Sequence, residues 1–112
     1  MNLITLFSTI VIMAFNSYTY KVSYYGDGFH GKKTASGEIF DKNKLTSAAT
    51  DKYKLGSYLE VSNPKTNKTV VVKVNDRGKF KKYGRELDLS EAAFKKIAPV
   101  NQGVIRVTIK KL

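Results

Sequence analysis

Six stretches of the chain carry the apolar patterns that are typical of β-strands. They cover residues 18–24, 45–49, 58–62, 69–74, 85–89 and 103–112. In the last stretch Ile105, Val107 and Ile109 alternate with polar or charged residues, and such period-two alternation gives a strand two different faces. The consecutive valines in residues 69–74 are typical of a strand that is buried on both faces or lies at a barrel seam. The pattern therefore predicts a mainly β protein with six short strands.

One segment has the helical period instead. In residues 90–97 the apolar side chains, among them Phe94 and Ile97, share one face, and Glu91 lies in the first turn, where the helix dipole favours a negative charge. Pro99 then ends the segment. The sequence predicts one short helix between the fifth and sixth strands.

Turn signals separate the strands. Residues 63–67, Asn-Pro-Lys-Thr-Asn, predict a hairpin between the third and fourth strands, and residues 75–78, Asn-Asp-Arg-Gly, predict a second turn by their composition. Glycines predict a loop over residues 27–37. Short strands, one short helix and glycine-rich loops together favour a small closed β-barrel, because closure removes exposed sheet edges.

The N-terminal residues differ from the rest. Residues 3–15 are almost entirely apolar, too short for a comfortable membrane span, and are followed by small and polar residues. This pattern predicts a cleaved signal peptide over residues 1–17 and a single domain over residues 18–112. The exported protein would then keep no stable membrane span. The alternative is an uncleaved apolar anchor or an additional strand.

Composition and charge limit the chemistry. The 112 residues contain no cysteine, which excludes disulfides, thiolate metal ligands and cysteine nucleophiles. The net charge of +11 indicates either a polyanionic neighbour or a well-solvated surface. Nucleic acid, an anionic membrane, teichoic acid and peptidoglycan carboxylates all qualify as that neighbour, although the scattered lysines argue against a nucleic-acid arm.

Four short motifs occur in order along the chain. They are Tyr-Tyr-Gly at 24–26, Thr-Ala-Ser-Gly-Glu at 34–38, Asn-Asp-Arg-Gly at 75–78 and Leu-Asp-Leu-Ser at 87–90. In combination they resemble the rare lipoprotein A family, and the resemblance covers about residues 20–112. It implies a small closed six-stranded double-psi β-barrel that acts on peptidoglycan glycan strands as a lytic transglycosylase, without a cofactor. We expect an exported, wall-associated monomer in the periplasm or outside the cell.

The candidate catalytic residues are carboxylates, because the chain has one histidine and no cysteine. Glycoside cleavage needs a carboxylic acid and usually a second group that acts as base or stabilises the ion. Glu38 precedes the apolar pair Ile39 and Phe40, which would raise its pKa as a general acid requires. The family resemblance also makes this glutamate functional. The alternative is a solvated glutamate at the start of a strand.

Two aspartates complete the candidate catalytic set. Asp76 lies in a motif where aspartate commonly bonds its own backbone, whereas the resemblance places it in the catalytic cleft. Asp88 is spaced to cap the helix with Glu91 as its reciprocal partner, although Ser90 is a competing cap. In related glycan-active barrels an aspartate at the place of Asp88 serves as the acid.

Four residues are candidates for substrate binding. Tyr25 and Phe29 offer rings for stacking on sugars, although strand alternation would turn some of these aromatics into the core. Arg77 could contact a substrate carboxylate. His30 lies in the glycine-rich loop, and without a spaced ligand cluster around it we expect no metal.

One departure from the family pattern keeps a second function open. Catalytic members carry a histidine after the paired alanines, whereas here Thr50 follows Ala48 and Ala49. The chain is therefore a lytic transglycosylase that works without this histidine, or one in which Asp51 or His30 compensates for it, or a non-catalytic, expansin-like module that binds wall glycan. Tyrosines among lysines permit nucleic-acid binding only weakly.

Overall fold

The computed structural model describes residues 18–78 and 80–112, and this part of the chain forms six strands and one α-helix. The strands are β1 (Tyr20–Tyr24), β2 (Thr46–Ala49), β3 (Tyr58–Asn63), β4 (Lys68–Arg77), β5 (Arg85–Leu89) and β6 (Ile105–Lys111). The helix α1 (Glu91–Ile97) lies between β5 and β6. Single 3-10 turns occur at Asp27–Phe29, Lys81–Tyr83 and Val100–Gln102. The predicted signal peptide, residues 1–17, lies outside the described residues.

The strands close into a barrel in the order β1-β5-β2-β4-β3-β6. The pairs β1–β5 and β2–β4 are parallel, and the other four neighbouring pairs are antiparallel. The parallel pairs join strands that are distant in sequence, whereas β3 and β4 form the predicted hairpin. The prediction of a mainly β, closed six-stranded barrel with one short helix is confirmed.

Apolar side chains from every strand fill the barrel. Val22, Leu59, Val72, Leu87 and Val107 are all fully buried there. Burying such a side chain stabilises the fold by roughly 1.5–3 kcal/mol, so these alternating positions hold the barrel together. Among the described residues no helix is long and apolar enough to cross a membrane.

Helix α1 covers one end of the core and is capped by Ser90. Phe94 and Ile97 are buried, and the ring of Tyr24 packs on that of Phe94 with the centroids 4.8 Å apart. The Ser90 hydroxyl accepts a hydrogen bond from the backbone N–H of Ala93 at 3.2 Å. Ser90 is therefore the cap, which leaves the carboxylate of Asp88 free for another role.

The turn predicted at residues 75–78 is wrong. Strand β4 continues to Arg77, because its last residues pair in parallel with β2: Ala48 is the register partner of Asp76, and Ala49 is the partner of Arg77. A register shift after Ser47 accommodates the extra residue on β4. Pairing with a distant strand has overridden the local turn composition, and it places Asp76 on the barrel wall.

Candidate active site

Two aspartates lie in one row across four neighbouring strands. The register partners are Ser23 on β1, Asp88 on β5, Ala48 on β2 and Asp76 on β4. Neighbours along these strands, such as Val22 and Leu87, point into the core, so the row faces outward. Asp88 and Asp76 are two strands apart, which separates their Cα atoms by about 10 Å. The small side chain of Ala48 leaves the floor between them open.

Aromatic residues form the walls of the groove above this row. Its volume is about 420 Å³, and the lining includes Tyr25 and Phe29 on one side and Phe80 and Tyr83 on the other. The Tyr25 ring is stacked on the buried Phe40 ring at 4.2 Å and meets Phe29 edge-on at 5.4 Å. Phe29 and Tyr83 are exposed, whereas Phe80 is buried. Aromatic rings above two carboxylates make a suitable cleft for sugar rings, which present apolar faces and polar edges.

Asp76 accepts three hydrogen bonds. Its Oδ1 accepts from the backbone N–H of Ala35 at 2.9 Å and from that of Arg77 at 2.8 Å. Its Oδ2 accepts from the Tyr25 hydroxyl at 2.6 Å. The carboxylate thereby ties the 34–38 segment and an aromatic wall to the end of β4, so it organises the groove as well as lining it.

Tyr25 is held as a hydrogen-bond donor. Burial raises its pKa most, and the hydrogen bond to Asp76 and the charges of Asp76 and Asp88 raise it further. The phenol therefore keeps its proton throughout the physiological pH range. Tyr25 presents a ring face to the groove while its hydroxyl fixes the orientation of Asp76.

Asp88 has fewer partners than Asp76. Its Oδ1 accepts a short hydrogen bond from the Ser23 hydroxyl and lies 3.3 Å from Nε of Arg85. Within residues 18–78 and 80–112 no side chain or backbone N–H donates to its Oδ2. Asp88 lines the groove and therefore offers one oxygen for chemistry on a bound ligand.

Arg77 lines the same groove beside the position where the family carries a histidine. Its Nη1 donates to the carbonyl oxygens of Ala49 at 3.5 Å and Thr50 at 3.4 Å. Thr50 itself is buried and does not line the groove, and its hydroxyl lacks a hydrogen-bond partner among the described residues. The Thr50 side chain therefore supplies no group to the groove.

Glu38 does not line the groove. Its carboxylate forms an ion pair with Lys73, with 2.9 Å between Oε2 and Nζ, in a separate depression. The hydrogen bond from Lys73 holds the pKa of Glu38 below its ordinary value, and a hydrogen bond from Asn75 adds to this. The expected rise in its pKa is wrong, because Ile39 points into solvent and Phe40 turns away to stack on Tyr25.

His30 also lies outside the groove lining. The ring is exposed, and its Nδ1 accepts from the backbone N–H of Lys42 at 3.2 Å. In the described part of the chain no three histidine, aspartate or glutamate side chains come together as metal ligands. Of the seven candidates from the sequence, the structure brings five together: Tyr25, Phe29, Asp76, Arg77 and Asp88.

Sequence reasoning missed one wall of the groove. Phe80, Lys82, Tyr83 and Arg85 line it, and the Arg85 guanidinium lies 5.9 Å from the Phe80 ring and 5.5 Å from the Tyr83 ring. Gly78 makes this arrangement possible, because a Cβ atom there would lie 2.3 Å from the Phe80 ring. The signal in the sequence was the aromatic residues that follow this glycine among cations.

The fold and this groove define a class of protein. Residues 18–109 match the family model described as lytic transglycolase, so the chain belongs to this family of double-psi β-barrel domains. Within it, the chain is similar to proteins named endolytic peptidoglycan transglycosylase RlpA. It is 45% identical to the protein from Neisseria meningitidis serogroup A over 95 residues. The aligned residues cover 84% of this chain and 38% of that protein. The resemblance to the rare lipoprotein A family is thus confirmed.

Further relatives agree with this placement. The protein of the same name from Rickettsia felis is 47% identical over 93 residues, or 80% of this chain and 40% of that protein. This chain therefore spans about two fifths of these relatives' length.

Two solved structures show the same barrel. The Streptomyces papain inhibitor has a TM-score of 0.69 at 28% identity, covering 87% of this chain and 94% of its own. An expansin variant from Clavibacter michiganensis, solved with cellohexaose, has a TM-score of 0.64 at 23% identity, covering 85% of this chain and 50% of its own. The double-psi fold predicted from the motifs is confirmed.

Proposed function

We propose that this protein cleaves the glycan strands of bacterial peptidoglycan as a lytic transglycosylase. The observation that carries the proposal is the outward row in which Asp88 and Asp76 flank Ala48 beneath aromatic walls. A sugar ring that stacks on Tyr25 or Phe29 would hold its glycosidic bond above Ala48, between the two carboxyl groups. The names of the relatives that share this barrel support the choice of substrate.

Asp88 is the acid and then the base of the proposed reaction. Its carboxyl group gives a proton to the glycosidic oxygen as the bond from that oxygen to the anomeric carbon breaks. The resulting carboxylate then takes the proton of the muramyl 6-hydroxyl, whose oxygen bonds to the anomeric carbon and closes the anhydro ring. The steps balance without water and without a metal, and Asp88 has the oxygen without a partner that they require.

The other candidate site residues assist the carboxyl group of Asp88. Asp76, fixed by three donors, stabilises the positive charge that develops at the anomeric carbon. Tyr25 and Phe29 bind sugar rings, and Arg77 contacts a substrate carboxylate. Glu38 acts from outside the groove, by holding the 34–38 segment against β4 through Lys73.

The setting of the reaction is the cell wall. The apolar N-terminal run supports export, and the net charge of +11 supports association with an anionic wall. The protein then works in the periplasm or outside the cell as a monomer, and His30 contributes from the groove's periphery through the loop that carries Phe29.

A digest of purified peptidoglycan tests the proposal. We expect the protein to release products with anhydro-muramyl ends, identified by mass spectrometry, and we expect Asp88→Asn to lower the rate by about 10²–10⁴-fold because acid and base roles are both lost. Asp27→Asn is the matched control, because Asp27 is an exposed aspartate outside the groove lining. Equal rates for the two variants would show that Asp88 has no catalytic role.

The second candidate is a non-catalytic module that binds wall glycan. Thr50 favours it, because this residue stands where the catalytic members of the family have a histidine and its hydroxyl does not reach the groove. If the protein stays bound to insoluble peptidoglycan but releases no anhydro product at high concentration, the binding module replaces the enzyme.

A further inference from the structure

A second depression lies on the barrel wall formed by β1 and β6. Its volume is about 450 Å³, and it is lined by Lys21, Asn63, Lys65, Gln102, Val104, Ile105 and Arg106. It shares no lining residue with the groove between Asp76 and Asp88. The depression contains three cations and no carboxylate, so it is an electropositive surface.

A row of cations leads from the groove to this depression. In the barrel Lys21 on β1 is the register partner of Arg85 on β5 and of Arg106 on β6. The three residues therefore follow one another across three strands at steps of about 5 Å. Arg85 lines the groove, whereas Lys21 and Arg106 line the depression. Like charges on opposing positions destabilise a sheet, so this arrangement does not serve the stability of the barrel.

The cations of the depression are available to a ligand. Among the described residues the ion pairs involve Lys42, Lys52, Lys73 and Arg85, and none involves a cation of the depression. All three of these cations are exposed. Arg106 uses Nη1 to donate to the carbonyl oxygen of Thr19 at 3.2 Å, which leaves the other edge of its guanidinium open.

Of the two neutral amide side chains in the depression, Asn63 and Gln102, the first is already committed. Asn63 donates from Nδ2 to the carbonyl oxygen of Ile97 at 2.9 Å, and its Oδ1 accepts from the backbone N–H of Lys65 at 3.0 Å. The charged groups left for recognition are two ammonium groups and one guanidinium, and the Gln102 amide lies beside them. A guanidinium edge matches a carboxylate in a planar, two-bond geometry, and nearby ammonium groups add charge.

We propose that this depression binds carboxylates of a peptidoglycan strand that continues out of the groove along the row Arg85, Lys21, Arg106. The inference deepens the proposed function and rests on it for the identity of the polymer. The depression holds the strand and takes no part in bond cleavage. Two points of attachment on one wall keep a long strand in register with Asp88 while it is cleaved, and they favour long strands over short fragments.

Charge-matched variants of the full chain test this proposal. One variant combines Lys21→Gln, Lys65→Gln and Arg106→Gln. Its control combines Lys33→Gln, Lys54→Gln and Lys95→Gln, which removes the same charge from exposed positions outside the depression. Equal thermal unfolding temperatures establish that both remain folded.

The measurement is the binding constant on purified peptidoglycan that is free of teichoic acid. We expect the first variant to bind about tenfold or more weakly, since charged hydrogen bonds are lost. We expect the control to change by about twofold or less, because scattered exposed charges are screened at physiological salt. Equal weakening of binding in the two variants would mean that net charge alone holds the protein on peptidoglycan, and the proposed carboxylate site would be wrong.

Two further arms identify the ligand group. Peptidoglycan whose carboxylates have been amidated should bind the parent and the first variant equally weakly. A parent that binds amidated peptidoglycan as well as untreated peptidoglycan overturns the proposal. Weakening of the first variant that appears only on teichoic acid or on DNA, and not on peptidoglycan, overturns it as well.

Cleavage of short soluble fragments separates this proposal from the proposed function. The first variant should cleave fragments too short to reach the depression at the parental rate. If the parent releases no anhydro product but the binding difference remains, the proposed enzymatic function is wrong and the proposed carboxylate site is supported. If the parent releases anhydro product but the two variants bind equally, the enzymatic function is supported and the proposed carboxylate site is wrong.

Discussion

Asp76 and Asp88 show how one residue type receives two roles from its surroundings. Asp76 has donors on both oxygens, including the Tyr25 hydroxyl, so it is held in a fixed orientation. Asp88 has donors at one oxygen only. A pair of carboxyl groups in unequal environments is the arrangement that acid–base chemistry requires, because one group has to exchange a proton while the other stays charged.

The ion pair of Glu38 with Lys73 gives a pH-dependent prediction. The pKa of Glu38 is lowered from 4.5 by Lys73, and the pKa of Lys73 is raised from 10.5 by Glu38. The stabilisation is therefore fully present between these two values. It is lost as the pH falls through the depressed pKa of Glu38, and again as the pH rises through the raised pKa of Lys73.

We expect Glu38→Gln to lower the unfolding temperature slightly at neutral pH, since the pair is on the surface, and to match the parent in strong acid. Thermal unfolding over a pH series measures this. Glu60→Gln is the control, because Glu60 forms no ion pair among the described residues. If the unfolding temperature of Glu38→Gln differs from that of the parent by the same amount at every pH, the Glu38 side chain stabilises the fold by packing and not by its ion pair.

The surroundings of some of these residues could be predicted from the sequence, and there are physical reasons why the surroundings of the others could not. Asp88 and Ser90 could both be named as candidate helix caps, and the structure decides for Ser90. The environment of Glu38 could not be foreseen, since it depends on which way Ile39 and Phe40 turn and on a lysine of β4. The groove wall at Phe80 depends on the close approach of the Phe80 ring to Gly78, and the hydrophobic pattern of the sequence carries no sign of that contact.

At the scale of elements, Ser90 joins helix α1 to the segment before β2. Its hydroxyl accepts from the backbone N–H of Ala93 at 3.2 Å and donates to the carbonyl oxygen of Lys44 at 2.5 Å. The residue is fully buried, so these partners cannot be replaced by water. One side chain thereby fixes the helix against the barrel next to Asp88.

We expect Ser90→Ala to lower the free energy of unfolding by about 1–2 kcal/mol, through loss of the cap and of the second hydrogen bond. Urea unfolding measures the change. Ser57→Ala is the control, because its hydroxyl donates to Lys54 at an exposed site and we expect a change of about 0.5 kcal/mol or less. If the two substitutions cost the same, the Ser90 contacts contribute no more than a surface hydrogen bond.

The element pattern was easier to predict than the pairing. Alternation, the run of valines and the small residues at 45–49 together located all six strands within a few residues. Alternation carries no information on which strands are neighbours, and so the extension of β4 to Arg77 beside Ala49 was predicted as a turn. The double-psi order came from the motif resemblance, and the row of Asp76 and Asp88 follows from that order.

At the scale of the molecule, the barrel closes within the described residues. The first strand begins at Tyr20, and the last strand, which ends at Lys111, pairs with both β1 and β3. Every strand therefore has two neighbours without a contribution from residues 1–17.

We expect a chain that starts at Tyr18 to fold cooperatively and to unfold at the same temperature as the full chain. Circular dichroism during heating of the two chains side by side measures this, and the transition should be single and reversible. An unfolded spectrum for the shortened chain, beside a folded full chain, would show that the first 17 residues are part of the fold.

The parallel pairing of β1 with β5 and of β2 with β4 has a consequence for when the groove forms during folding. Asp88 and Asp76 reach the same row only through β2, which lies between their strands and comes earlier in the chain. Contacts between such distant segments form late and slowly during folding. The groove between Asp76 and Asp88 therefore exists only once β2, β4 and β5 have paired, and an incomplete barrel has none.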